Sequence, residues 1–396
     1  MSQLPIRVPA AASAPDEGPR ARPAIDVRIT SVVAQPFRIP YRRVHWQAIG
    51  ALDALENVVI RIQTDAGVTG IGEALTTNKF NSGTLAGTAL AIRDHLGPAL
   101  IGESPFNLAR VWTRMNEACD GAGFAKGGVD IALHDLMGKL LGVPVCALLG
   151  GRAVDEIAVE GPGYGIGIMS PEEMADAARC AVDHGLTEIE IKIAGQLPED
   201  VQRLRKVREA IGSAPTLKID MTEGYSVEGA VAAILALQDY GVDWIEQPVH
   251  HSLLPGLRAV REAVSTRIVV DESATTLEDL LAVIRADAAD GVHIKLPVVG
   301  GFTVARKMHA LVQAAHLFAL PGSDTASGIG IAAVRHFAVS STYFHRGIHG
   351  SPLARAIDDI ITEPTPESAV TLTVTDQPGL GVEIDEEKLR RYAVDV

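Results

Sequence analysis

The chain has 396 residues, with 49 acidic against 35 basic side chains and a formal net charge of -14. That excess leaves no basic face for nucleic acid or an anionic membrane, so a carboxylate substrate would need a local positive centre such as a metal. Hydrophobic content of 47% with 21% charged residues describes a globular chain long enough for two domains, and no stretch approaches the apolar length of a membrane span.

Residues 1–24 are punctuated by Pro5, Pro9, Pro15, Pro19 and Pro23 and carry the Asp16-Glu17 pair. This denies a signal peptide its unbroken apolar core and predicts a disordered tail. Cys119, Cys146 and Cys180 are widely spaced and form no metal-type pair, which points to a reducing, cytoplasmic compartment.

From Ile25 the pattern is β-rich. Strands are predicted at Ile29 and at Asn57-Val-Val-Ile-Arg-Ile-Gln, the second turning at Asp65-Ala-Gly67 into Val68-Thr-Gly-Ile-Gly-Glu-Ala. Helices follow near 83–97, 106–118 and 128–141, giving an α+β domain over 25–150. From about 155 short strands alternate with helices. The strands fall at 157–161, 189–193, 216–220, 242–246, 268–271, 291–295, 317–321 and about 345–349. The helices fall near 171–184, 199–212, 226–240, 277–286, 302–315 and 329–341. Eight strands in this alternation over 151–354 predict a closed (β/α) barrel or an open doubly wound sheet. The segment 355–396 holds no further βα unit and is expected to pack back on the first domain.

Lys192, Asp220, Glu246, Asp271 and Lys295 each end one of these strands, at intervals of 28, 26, 25 and 24 residues. In a barrel, five successive strand ends would converge where such folds carry their sites, with the two lysines on opposed strands and three carboxylates between them. Three hard oxygen donors favour Mg²⁺ or Mn²⁺ over Zn²⁺. A metal between two amines suits removal of the proton α to a carboxylate, through an enediolate that the metal stabilises. One lysine would take the proton on one face and the other return it on the opposite face.

The segments Leu217-Lys-Ile-Asp220, Trp244-Ile-Glu246-Gln-Pro248, Val269-Val-Asp271-Glu-Ser273 and His293-Ile-Lys295 before Gly300-Gly301 resemble the muconate lactonizing enzyme subgroup of the enolase superfamily. Gly72-Glu73-Ala, Asp130-Ile-Ala-Leu-His-Asp and Leu148-Leu-Gly-Gly151 extend the likeness over about 26–390. The resemblance implies an α/β protein with a modified (β/α)₇β TIM-like barrel beneath an α+β N-terminal capping domain. It also implies Mg²⁺ on Asp220, Glu246 and Asp271, with acid/base lysines at 192 and 295. Racemases, epimerases, muconate cycloisomerases and o-succinylbenzoate synthases belong to this subgroup, and homo-oligomers are common in it.

Three positions depart from the subgroup pattern: Glu190 where Lys-x-Lys is usual, Thr222 in place of Asn, and Ala326 in place of an acid, with Asp324 two residues earlier. Glu190 shares a strand face with Lys192 and would raise its pKa. We read Glu190 and Asp324 as negative charge around a substrate that carries its own cation, such as an amino-acid derivative or betaine. The alternative for Glu190 is an ion pair with a barrel lysine or arginine. A racemase or epimerase is the leading expectation. A cycloisomerase or lyase, and a catalytically inactive binding homologue, are the alternatives. The glycines at 161, 163, 165 and 167 predict a flexible loop, and His250-His251, lacking spaced partners, a solvated one.

Overall fold

Antiparallel pairing joins β1 (Ile29–Gln47), β2 (Gly50–Thr64) and β3 (Thr69–Leu75), the last two through the Asp65–Gly67 turn, where Gly67 takes φ +75°. The computed structural model describes residues 26–76, 83–193, 195–350, 352–363 and 370–396. The tail expected over 1–24 lies outside the described residues, as does most of the 76–82 loop.

The helix Gly123–Leu141 lies between this sheet and the helices after the sixth barrel strand, so its residues 124–138 are all buried. Backbones meet directly at the crossing. A Cβ on Gly72 would stand 2.3 Å from the Gly128 carbonyl, so no side chain fits there. Asp130 and Asp135 on this helix are structural ties. Asp130 accepts from Trp112 Nε1 and the Thr303 amide, and Asp135 accepts from the amides of Ile71 and Leu380.

The barrel strands are β4 (Ile157–Ile166), β5 (Glu188–Lys192), β6 (Thr216–Asp220), β7 (Val242–Glu246), β8 (Arg267–Val270), β9 (Gly291–Lys295), β10 (Phe318–Gly322) and β11 (Ile348–His349). They pair in parallel in the order β10-β9-β8-β7-β6-β5-β4-β11. Their outward apolar side chains, among them Ile191, Ile219, Ile245 and Ile294, pack with the helix faces in one core. The His345 amide donates to the Ala319 carbonyl, and its Nδ1 accepts from the Ala319 amide, closing the ring between β10 and the approach to β11. Seven strands are followed by helices and the eighth is not, which is the (β/α)₇β arrangement. Ser170 caps the first barrel helix in a reciprocal box with Glu173, and Thr276 does the same with Asp279.

Two local expectations change. A helix at Leu254–Ala263 follows β7, where Pro255-Gly256 had masked its periodicity. Gly161, Gly163 and Gly165 lie within β4, which extends to Ile166 with an irregular register between Gly161 and Ile166, and Gly167 directly follows it. The C-terminal residues return to both layers. The strand β12 (Thr371–Leu372) pairs antiparallel with β4, and Ala393 bridges to Phe37 in β1.

Candidate active site at the carboxyl ends of the strands

Strand register brings the ladder together. Lys192 pairs with Asp220 and Asp220 with Glu246, while Asp271 directly follows β8 and Lys295 ends β9. All five side chains are buried. Lys192 Nζ donates to Asp220 Oδ2, and Lys295 Nζ donates to Asp271 Oδ2. Each lysine is thus bonded to the acid nearest it, one at either end of the row. Asp220 Oδ1 accepts from the Thr222 amide at 2.7 Å and its hydroxyl at 2.8 Å, so Thr222 orients this acid.

A second charged layer lies one step deeper, two residues back along the same strand faces. It comprises Glu160, Glu190, Lys218, Trp244 and His293, all buried. Lys218 bonds Glu160, lies 2.9 Å from Glu190 Oε2, and sits over the Trp244 ring at 5.5 Å. Glu190 Oε1 lies 3.0 Å from Lys192 Nζ. The Glu190 carboxylate is therefore shared between two lysines at 2% exposure, which is the barrel ion pair and leaves it little access to a substrate cation. A Cβ on Gly165 would stand 2.7 Å from the Glu190 side chain, so the glycine run makes room for this layer. Lys218 and His293 stand in the strand motifs, where the local sequence assigns them no role. The period of two that placed Glu190 beneath Lys192 would have found both.

Burial opposes the charges in both layers, and the neighbours decide the outcome. Desolvation would lower the Lys192 amine, but Asp220, Glu190 and Glu246 outweigh it and raise its pKa. Desolvation would raise Glu246, yet His293, whose Nδ1 stands 3.0 Å from Oε1, and Lys218 hold it well below the usual carboxylate range. Asp271 is pushed up to about 6 by burial, against the pull of Lys295.

Among the described residues, Glu246 Oε2 has no hydrogen-bond donor, and Lys218 Nζ stands 3.8 Å from it. One donor atom from each of Glu246, Asp271 and His293 lies within 4.8 Å of the others, and Asp220 stands outside that group, drawn onto Lys192 and Thr222. Buried carboxylates with an undonated oxygen form a hard donor set that fits Mg²⁺.

A cavity of about 150 Å³ opens beside Lys295 and Asp271. Asp324 lines it at 5% exposure, in the left-handed region at φ +53°, and its Oδ1 has no hydrogen-bond partner among the described residues. Phe124 of the cap and Val298 supply apolar wall, while Glu223, His250, His251, Glu272 and Thr275 complete the lining.

The family model for the mandelate racemase / muconate lactonizing enzyme N-terminal domain matches residues 24–150, and that for the enolase C-terminal domain-like fold matches 173–388. The chain belongs to this family and is an isomerase-class enzyme of the enolase superfamily. It is 28% identical to N-succinyl-L-Arg/Lys racemase of Bacillus cereus over 93% of this chain and 98% of that one, and the crystal structure of that racemase superposes with a TM-score of 0.89. A dipeptide epimerase from Cytophaga hutchinsonii, crystallised with Mg and the dipeptide D-Ala-L-Val, is 27% identical with TM-score 0.87, covering 93% of this chain and 99% of its own. The 2-chloromuconate cycloisomerase of Rhodococcus opacus is 27% identical over 93% of this chain and all of its own, with TM-score 0.88. Among the described residues no helix is long and apolar enough to cross a membrane.

Proposed function

We propose that this chain is a Mg²⁺-dependent racemase or epimerase of an amino-acid derivative, moving the proton α to the substrate carboxylate between Lys192 and Lys295. The observation that carries this reading is the placement of the two buried amines at opposite ends of the carboxylate row, each bonded to its terminal acid. Asp220, Glu246 and Asp271 would hold the metal, which when bound supplies positive charge to the substrate carboxylate and lowers the cost of removing the neighbouring proton. Lys192 and Lys295 then face the substrate carbon from two sides, and the one that is neutral accepts the proton while the other donates.

Asp324 is assigned to a positively charged nitrogen of the substrate, because it lines the same cavity as Lys295 and its buried Oδ1 has no donor among the described residues. Glu190 is assigned to holding Lys192 and Lys218 in place. The named activities of the racemase and epimerase relatives agree with this class of substrate.

Incubation in ²H₂O with Mg²⁺ and a panel of N-acyl amino acids, dipeptides and betaines tests the reading by deuterium at Cα. Wild type should incorporate label and invert the centre. Lys192→Ala and Lys295→Ala should each abolish inversion while one of them retains exchange from a single antipode. Conversion of a muconate without such exchange would move the chain to the cycloisomerase branch.

A further inference from the structure

His250 and His251, on the loop after β7, meet Glu223 from the loop after β6. One potential donor atom from each lies within 4.8 Å of the others. Glu223 Oε1 accepts from the His251 amide at 2.6 Å and stands 2.7 Å from its ring Nδ1. The two imidazole rings are 4.1 Å apart, and His250 Nδ1 is engaged by Ser252 Oγ at 2.9 Å. Other backbone bonds fix the loops against each other. The Glu223 amide donates to the Gln247 carbonyl at 2.8 Å, Tyr225 bridges Val249, and Ser273 Oγ donates to the His251 carbonyl at 3.3 Å. Gln247 then braces both sides, its Nε2 donating to the Val249 carbonyl and to Ser273 Oγ.

Two imidazoles and a carboxylate are a borderline donor set, unlike the hard oxygens of the inner row. Ligands on a tetrahedral zinc-class ion at about 2.1 Å stand roughly 3.4 Å apart, and the three donor atoms here already lie within 4.8 Å of one another with the His250 ring exposed. Ser252 holds the His250 ring as metal-bound histidines are commonly held, and Glu223 and His251 are already in contact at 2.7 Å. All three residues line the cavity that holds Lys295, Asp271 and Asp324. We infer that Glu223, His250 and His251 form a second metal site, selective for a zinc-class ion, at the rim of the substrate cavity, and that an ion there obstructs substrate entry on the Lys295 side.

The inference is independent of which reaction the barrel runs, because it is read by binding as well as by rate. Protein saturated with Mg²⁺ is titrated with Co²⁺, followed by its visible ligand-field bands, and with Zn²⁺ by calorimetry. One ion per chain should bind. Affinity should fall at least tenfold in His250→Gln and again in Glu223→Gln, and remain near wild type in Asp271→Asn. Zn²⁺ should slow turnover of the best substrate at least tenfold, reversed by a chelator, with less inhibition in His250→Gln. Circular dichroism and Tm establish that each variant is folded. Absence of a second ion, or binding insensitive to both rim substitutions, would overturn the site. Binding with no effect on turnover would overturn the obstruction.

Discussion

Glu190 holds Lys192 from one carboxylate oxygen at 3.0 Å while its other oxygen, 2.9 Å from Lys218, is committed to the layer beneath. The contact orients the amine and adds to the charge that keeps it protonated. In Glu190→Gln the amide retains the shape but loses the charge on two lysines. We expect kcat to fall by about tenfold or more, roughly 1.4 kcal/mol in the barrier, with KM for a cationic substrate within twofold of wild type. Steady-state kinetics on one ammonium-bearing substrate checks this. A tenfold rise in KM at unchanged kcat would make Glu190 a substrate contact instead.

The ladder was legible because strand ends repeat at βα spacing, and Lys192, Asp220, Glu246, Asp271 and Lys295 carry charge where an apolar strand should end. The fold followed from the same alternation. Contacts between loops of different units were not legible, since local periodicity says nothing about them. Glu223 is separated from His250 by a whole helix and strand, so the pair of histidines read as lacking a partner. Glu73 stands in the sequence only as part of Gly72-Glu73-Ala, yet it joins the cap to the seventh barrel loop through bonds spanning more than 250 residues. The glycines of β4 read as a loop because their true constraint, the Glu190 side chain, lies on the next strand.

Asp324 tests substrate charge directly. Replacing it with Asn keeps volume and removes the negative charge. KM for substrates with a free ammonium should rise about tenfold, close to 1.4 kcal/mol of binding, while neutral N-acyl analogues change less than twofold. Parallel measurement of the two substrate series separates charge recognition from general damage to the site. Equal losses for both series would remove Asp324 from cation recognition.

Glu73 fastens the cap. Its oxygens accept from the Ser327 amide at 2.9 Å, Ser327 Oγ at 2.8 Å, the Gly330 amide at 2.9 Å and Asn57 Nδ2 at 2.6 Å. Burial pushes its carboxyl up to about 7 against these donors. Glu73→Gln turns an NH₂ toward the Ser327 or Gly330 backbone amides, which can only donate, leaving buried N–H groups unmatched. Stability should drop by about 3 kcal/mol, seen as a lower midpoint in denaturant. Glu73→Asp, one methylene short, should lose less. An unchanged midpoint for the Gln variant would mean that the donors find other acceptors.

His336 makes the fold acid-sensitive. It is buried, its Nδ1 accepts from the Cys146 amide at 3.2 Å, and its Nε2 stands 3.2 Å from the Leu380 carbonyl, so one nitrogen must stay unprotonated. Burial lowers its pKa from 6.5 to about 4. A histidine depressed in the folded state is protonated first in the unfolded chain. Its contribution is therefore complete above pH 6.5 and is lost as pH falls toward 4, by about 2 kcal/mol between pH 7 and pH 5. His336→Gln offers an acceptor and a donor without a titrating proton. Denaturant unfolding of both proteins at pH 7 and pH 5 should show a stability difference between the two pH values that is about 2 kcal/mol smaller in the variant. Parallel pH dependence in the two proteins would place the acid sensitivity elsewhere, in the buried carboxylates of the barrel.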